Sequence, residues 1–349
     1  MLKAQYSKYI LDFKSPARTS RETMNHKKTY FIKVFDEVDP TTFGIGECAL
    51  FEGLSCDDVP DYEKVLADTC MRINDPDFEC LRKFPSILFG VETAIMDLKH
   101  GAKRTPFPSP WSNGRGEITI NGLVWMGSIE EMRNRIKEKI KAGFRCLKFK
   151  IGGEDFDQEF GLLREVRKSF PVSDLEIRLD ANGAFTPENA LRRLEVLSEL
   201  QVHSIEQPIK AGQLMEMAEI CRRSPIPVAL DEELIGHSEA EDKFRLLETI
   251  KPKYIILKPA LCGGFSGAME WISIAELQSI GWWVTSALES NIGLNAIAQW
   301  VSTLDTSISQ GLGTGALYLN NIPSPLVQKN DFLTYDPARD WTIPEMTWR

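Results

Sequence analysis

At 349 residues and 43% hydrophobic content the chain is long enough to bury a large core and to hold two domains. Its net charge of −9 lacks the positive field that a nucleic-acid backbone or an anionic membrane needs, so the expected partner is a small molecule. No apolar run approaches the roughly 18 residues of a membrane span and MLKAQYSKYILDFKS has no signal-peptide pattern, which points to the cytoplasm, where seven cysteines without a C-x-x-C pair fit reduced thiols.

Residues 1–112 read as an α+β unit. Alternation in KAQYSKYILDF and in TYFIKVFDEV predicts two antiparallel strands, joined by a polar segment, 15–28, expected to be mobile. Gly44-Ile45-Gly46-Glu47 reads as a turn into a third strand and 51–54 as a loop. Helical patterning follows over 58–71 and 86–100, where Leu88, Val91, Ile95 and Leu98 share a face. Gly101 stops that helix, and TPFPSPW reads as the linker to the next domain.

From Glu117 the pattern becomes strand, helix, strand, helix. Apolar runs begin near Ile118, Cys146, Glu176, His203, Pro227, Tyr254, Trp282 and Ser309, with amphipathic segments such as IEEMRNRIKEKIKAG between them. Eight strands at one period predict an α/β fold in which parallel βαβ units close into a barrel over 113–317. A doubly wound open sheet is the alternative, weakened because no G-x-G-x-x-G follows a first strand. The tail, 318–349, is expected to return onto the N-terminal unit, and the sequence sets no oligomeric state.

Five charged residues fall at the ends of the second to sixth runs: Lys150 in CLKFK, Asp180 in LEIRLD, Glu206 in SIE, Asp231 in PVALD and Lys258 in YIILK. Their separations are 30, 26, 25 and 27 residues. In a barrel, catalytic side chains sit at the carboxyl ends of strands, so strands two and six would set two ammonium groups opposite each other with three carboxylates between. Three carboxylates in a partly closed mouth cannot all stay ionised without a cation, and an oxygen-only ligand set favours Mg²⁺ over zinc. Taken singly, Asp180 before Asn182-Gly183 caps a turn and Asp231 caps a helix; three such residues at matched strand ends favour the site. Lys148 and Lys150, two apart on one strand, both point inward, and their proximity is expected to depress their pKa values and make a base.

The motifs K-F-K, L-D-A-N-G-A-F, I-E-Q-P, A-L-D-E-E, L-K-P-A-L-C-G-G and S-A-L-E-S-N-I-G resemble the enolase superfamily, and within it the muconate-lactonizing subgroup. The resemblance covers nearly the whole chain. It implies a modified TIM barrel, (β/α)₇β, with an N-terminal α+β capping domain completed by the C-terminal tail, and a lysine base working beside Mg²⁺ (or Mn²⁺ in its place). With G-L-G-T-G near the eighth strand, the branch implied forms o-succinylbenzoate in menaquinone biosynthesis, by loss of water from 2-succinyl-6-hydroxy-2,4-cyclohexadiene-1-carboxylate. On that resemblance Asp180, Glu206 and Asp231 hold the metal, Lys150 moves the proton, Lys258 lends charge from the opposite side, and Lys148 supports Lys150 or touches the carboxylate. Asn182 and Glu232 orient ligands. Gly263, Gly264, Gly313 and Thr314 would bring backbone N–H groups to the succinyl carboxylate, with helix-start and turn geometry as the alternative reading of these glycines; Ser286 would add a hydroxyl, and the segments 15–28 and 51–54 would close over the ligand.

Other activities share this machinery. Racemases of N-succinylamino acids and dipeptide epimerases would use Lys150 and Lys258 as two bases, although dipeptide epimerases usually carry Asp-x-Asp where this chain has Gly313-Thr314-Gly315. Muconate cycloisomerisation uses the same core. A noncatalytic binding protein on the fold would be expected to have lost a lysine or a metal ligand, and all five are present.

Overall fold

The computed structural model describes residues 1–18, 23–153 and 155–349. β1 (Leu2–Arg18), β2 (Thr23–Asp36) and β3 (Asp39–Cys48) form an antiparallel sheet in that order. β2 is buried on both sides. Tyr30, Ile32 and Val34 pack with residues of α1 (Tyr62–Met71) and, beyond the short α2 (Phe78–Leu81), of α3 (Pro85–Lys99). Phe31, on the other face, packs with Ile45, Ile292 and Ile322, and Trp341, Met346 and Trp348 of the tail lie against that cluster.

Two local expectations change. Most of 15–28 is strand: after a register shift, Ala17 pairs with Met24 and Arg18 with Thr23, and the expected mobile link falls on 19–22, outside the described residues. Gly44 and Gly46 lie inside β3 rather than in a turn, and the reason is the helix above them. A Cβ on Gly44 would stand 2.0 Å from the Ala94 carbonyl oxygen, and one on Gly46 1.9 Å from that of Gly90. Gly46→Ala is therefore expected to lower stability by about 2–3 kcal/mol or more, because the obstacle is backbone that cannot rotate away. Thermal denaturation checks this, and an unchanged midpoint would mean that α3 retreats at little cost.

In the barrel, β4 (Ile118–Thr119) and β5 (Gly122–Val124) precede α4 (Ile129–Lys141); then come β6 (Cys146–Lys150), α5 (Phe156–Ser169), β7 (Glu176–Asp180) and α6 (Pro187–Ser198). β8 (Ser204–Glu206), α7 (Leu214–Arg223), β9 (Val228–Leu230), α8 (Ala240–Ile250), β10 (Tyr254–Leu257), α9 (Gly264–Leu277), β11 (Gly281–Val284) and α10 (Asn291–Val301) follow. β5 to β11 pair in parallel in chain order, as right-handed crossovers require. The eighth stave is two residues long: Gln310 bridges Ile120 and Gly311 bridges Thr285, both in parallel. The ring is thereby closed, which removes the open-sheet alternative. Gly311 permits it, since a Cβ there would sit 2.1 Å from Thr285 Oγ1.

The run expected to start the first barrel strand is split. Ile118–Thr119 pairs instead with β13 (Phe332–Tyr335), which forms a hairpin with β12 (Leu326–Lys329). The rest of the tail reaches the N-terminal sheet: Leu319 N–H donates to the Asp12 carbonyl, and Arg349 exchanges two backbone hydrogen bonds with Tyr6.

Two carboxylates, one buried and one half-buried, set the sheet unit on the barrel. Glu47 of β3 accepts from Ser290 N–H and Gly293 N–H and from the Ser290 and Thr29 hydroxyls. Glu92 of α3 accepts from Phe265 and Ser266 N–H. Each carboxylate thus meets the unsatisfied N–H groups and positive dipole end of a barrel helix, α10 and α9 respectively.

Candidate active site

β6 reads CLKFK and is buried throughout, so alternation turns Lys148 and Lys150 one way and Phe149 the other. Parallel register sets Lys150 beside Asp180 and Asp180 beside Glu206. Asp231 follows the last residue of β9 and Lys258 the last of β10. The period of the chain is thus converted into one arc of charges at the carboxyl ends of five neighbouring strands.

Lys150 Nζ lies 2.9 Å from Asp180 Oδ2 and 2.5 Å from Asn182 Oδ1. Lys148 Nζ lies 2.9 Å from the same Asp180 oxygen and 2.5 Å from Glu206 Oε2. Lys258 pairs with Asp231. Asn182, in the left-handed region at φ 44°, receives Lys150 and donates from Nδ2 to Glu232 Oε1 at 2.9 Å. An asparagine tolerates that backbone where most residues do not.

These contacts revise two expectations. Lys148 and Lys150 share one oxygen of Asp180, and Lys148 is not depressed as expected. At Lys148, burial pulls the ammonium pKa down, but Asp180, Glu206 and Asp231 outweigh it and hold it above the ordinary lysine value. Burial raises the Asp180 carboxyl, and Lys148 and Lys150 more than reverse this, leaving it below the usual carboxylate range. Glu206 is the outlier: burial, then Asp180, push it well above the glutamate range despite Lys148. Secondly, the three carboxylates are already faced by three ammonium groups, so charge balance alone does not demand a metal ion.

Among the described residues no group of three His, Cys, Asp or Glu side chains stands in a metal-holding arrangement; Lys148 and Lys258 lie against the oxygens in question. The donor chemistry nevertheless fits a hard divalent cation. Asp180, Glu206 and Asp231 offer only oxygen, all three are at most 2% exposed, and Glu206 Oε1 is buried without a hydrogen-bond partner among the described residues.

A cavity opens over this arc. Lys148, Lys150, Asp180, Asn182 and Lys258 line one side, Ser286, Gly313 and Thr314 the other, and Met24, Phe51 and Leu54 the cap side. Gly263 and Gly264 are not in its wall. Gly263 borders a separate cleft, Gly264 N–H donates to the Pro259 carbonyl, and the N–H groups of the next two residues are taken by Glu92, whose Oε2 would lie 2.4 Å from a Cβ on Gly264. Gly264 makes room for a carboxylate of the protein rather than of a ligand, and a Cβ on Gly263 would meet Gly267. Ser286 is also committed: its hydroxyl donates to Glu289 Oε2 at 2.6 Å and accepts from Thr314 Oγ1 at 2.9 Å.

Two contributors were missed. Trp125, just beyond β5, puts its ring centroid 5.9 Å from Lys150 Nζ, a cation–π distance. Its position one residue past an apolar strand run was the available signal. Gln207 follows Glu206; its Oε1 accepts from Asp231 N–H and Glu233 N–H, and its Nε2 donates to Glu233 Oε2. It ties the ends of β8 and β9 together, and the Gln of I-E-Q-P was the signal. Cys146 and Cys262 are buried free thiols, and burial pushes the Cys262 thiol up to about 12, which leaves it unreactive.

A capping sheet over a closed (β/α)₇β barrel, with lysines and acidic residues ranged along its strand ends, defines an enolase-type barrel enzyme. The chain belongs to that family: residues 131–335 match the family described as Enolase C-terminal domain-like. It is 42% identical to the o-succinylbenzoate synthase of Desulfotalea psychrophila over 93% of this chain and 96% of that protein. The crystal structure of MenC from the same organism superposes with a TM-score of 0.83 at 39% identity, covering 95% of this chain and 99% of that one. The N-succinylamino acid racemase of Thermus thermophilus is 32% identical over 58% of this chain and 53% of that protein. The substrate-liganded L-Ala-D/L-Glu epimerase of Bacillus subtilis shares the fold, with a TM-score of 0.81 over 95% of each chain at 19% identity. No helix among the described residues is long and apolar enough to cross a membrane.

Proposed function

We propose that the chain is a carbon–oxygen lyase that removes water from 2-succinyl-6-hydroxy-2,4-cyclohexadiene-1-carboxylate to give o-succinylbenzoate, the reaction that serves menaquinone biosynthesis. The observation that carries this reading is the 42% identity to an o-succinylbenzoate synthase along 93% of the chain; Lys150 beside Asp180 at the cavity wall gives it a chemical seat.

Asp180, Glu206 and Asp231 would hold Mg²⁺, which supplies positive charge to the substrate carboxylate when bound. Lys150, once it has released its own proton to solvent, takes the proton from the carbon next to that carboxylate, and the electron pair moves toward the carboxylate. Lys150, now an ammonium, returns the proton to the departing hydroxyl on the same side, water leaves, and the ring becomes aromatic. Lys258, across the arc, keeps its charge through the step: burial lowers its pKa, Asp231, Glu232 and Glu206 more than restore it, and it stays above the ordinary value. Asn182 holds Lys150 in place from one side and Trp125 covers it from another.

Purified protein with Mg²⁺ is expected to convert the cyclohexadiene to the aromatic product with a rise in ultraviolet absorbance. Faster deuterium exchange and racemisation of N-succinylamino acids in D₂O than dehydration would replace this reading with a racemase.

A further inference from the structure

Two buried ionisable side chains, one on the sheet unit and one on the barrel, are left unused by the reaction above. Lys27, on β2, is 5% exposed and stands three residues after Met24, which lines the cavity. Its Nζ is buried and has no hydrogen-bond partner among the described residues. Glu289, between β11 and α10, is fully buried. Its Oε2 accepts from Ser286, and its Oε1 is buried with no hydrogen-bond partner among the described residues.

Burial pulls the Lys27 ammonium pKa below its ordinary value, and three carboxylates oppose this, namely those of Glu47, Glu289 and Glu52. Glu47 is satisfied on both oxygens by four donors. Glu52 has half its side chain in solvent and pairs with Lys28 at 2.5 Å. Glu289 is the one with a buried oxygen that lacks a donor. An isolated buried charge costs several kcal/mol, and two of opposite sign relieve each other; a direct bond or a single bridging water suffices.

The consequence reaches the cavity wall. Burial raises the Glu289 carboxyl pKa and Lys27 opposes this; a Glu289 that Lys27 keeps charged can only accept, so the Ser286 proton points at it, and Ser286 Oγ then accepts from Thr314 Oγ1 and from Leu288 N–H. Thr314 and Ser286 both line the cavity, and the direction of their hydrogen bonds is set from behind.

We infer that Lys27 is a positioning residue for substrate binding: joined to Glu289, it fixes the Ser286 and Thr314 hydroxyls and ties the seating of the Met24 end of β2 to the barrel wall. This rests on the dehydratase reading for its substrate, but the pairing itself does not. Neither group touches the reacting atoms, so the effect falls on binding. Lys27→Met is expected to raise KM for the cyclohexadiene about tenfold while kcat changes less than about threefold, with Lys27→Arg restoring KM. A lowered melting temperature with KM unchanged would reduce Lys27 to a structural role and overturn the inference.

The pairing is tested without turnover by urea unfolding of Lys27→Met, Glu289→Gln and the double variant. Non-additive losses, with the double variant no worse than the poorer single one, are expected. Additive losses overturn the pairing even if the wild-type chain proves to be a racemase. A wild-type chain without dehydratase activity but with a coupled cycle would instead overturn the substrate and leave the pairing standing. If Lys27→Met fails to fold, Lys27→Gln and Glu289→Gln carry the same cycle.

Discussion

Lys150→Ala is expected to cut kcat for dehydration by about 10⁴-fold, at the upper end of what a single acid–base group supplies, because in the proposed reaction one amine would both remove the proton and return it. The geometry makes the loss hard to rescue. Lys148 is the nearest other amine, but it lies between Asp180 and Glu206, and those carboxylates hold it protonated; a group already carrying its proton cannot accept another. Lys258 is paired with Asp231 and likewise stays charged. Lys150→Arg is expected to be nearly as inactive, since a guanidinium keeps the charge but cannot act as a base. Circular dichroism should show both variants folded, because removing one of two ammonium groups on Asp180 leaves it paired with Lys148. Retention of activity within about tenfold by Lys150→Ala would end its assignment as the base.

How much of this was legible in the sequence follows from which interactions are local. A strand that ends in a charge repeats in the linear pattern, so Lys150, Asp180, Glu206, Asp231 and Lys258 were readable from spacing, and closure was readable from the eight apolar runs at one period. What failed depended on partners far along the chain. Gly44 and Gly46 look like turn residues until α3 is laid over them, and Gly263-Gly264 looks like an anion cradle until Glu92 fills it. The tail showed little periodicity because its hairpin has short strands, and one pairs with only two residues of β4. The neutralisation of the carboxylates by Lys148 was likewise invisible, since K-x-K gives the direction of two side chains but not the oxygen they share.

That neutralisation shapes the second large effect. Exhaustive chelation is expected to abolish dehydration, to below about 1% of the starting rate, and Mg²⁺ to restore it, because the charge that stabilises the anion formed on proton loss is absent without the ion. Stability should respond less. Three ammonium groups already face Asp180, Glu206 and Asp231, so folding does not depend on the metal. Binding to the folded state alone adds about 2.7 kcal/mol at a hundredfold excess over Kd, a rise of a few degrees in melting temperature for a chain this long. Lys148→Met separates the two roles. Without that ammonium, Asp180 and Glu206 face each other with less compensation, and Glu206, already pushed up by burial and by Asp180, has lost its nearest positive charge. The variant should therefore melt lower than wild type in chelator and gain more from Mg²⁺, the two curves drawing together as the ion saturates. Melting temperatures of both proteins indifferent to Mg²⁺, together with full activity after chelation, would show that Lys148 and Lys258 supply all the positive charge this site uses.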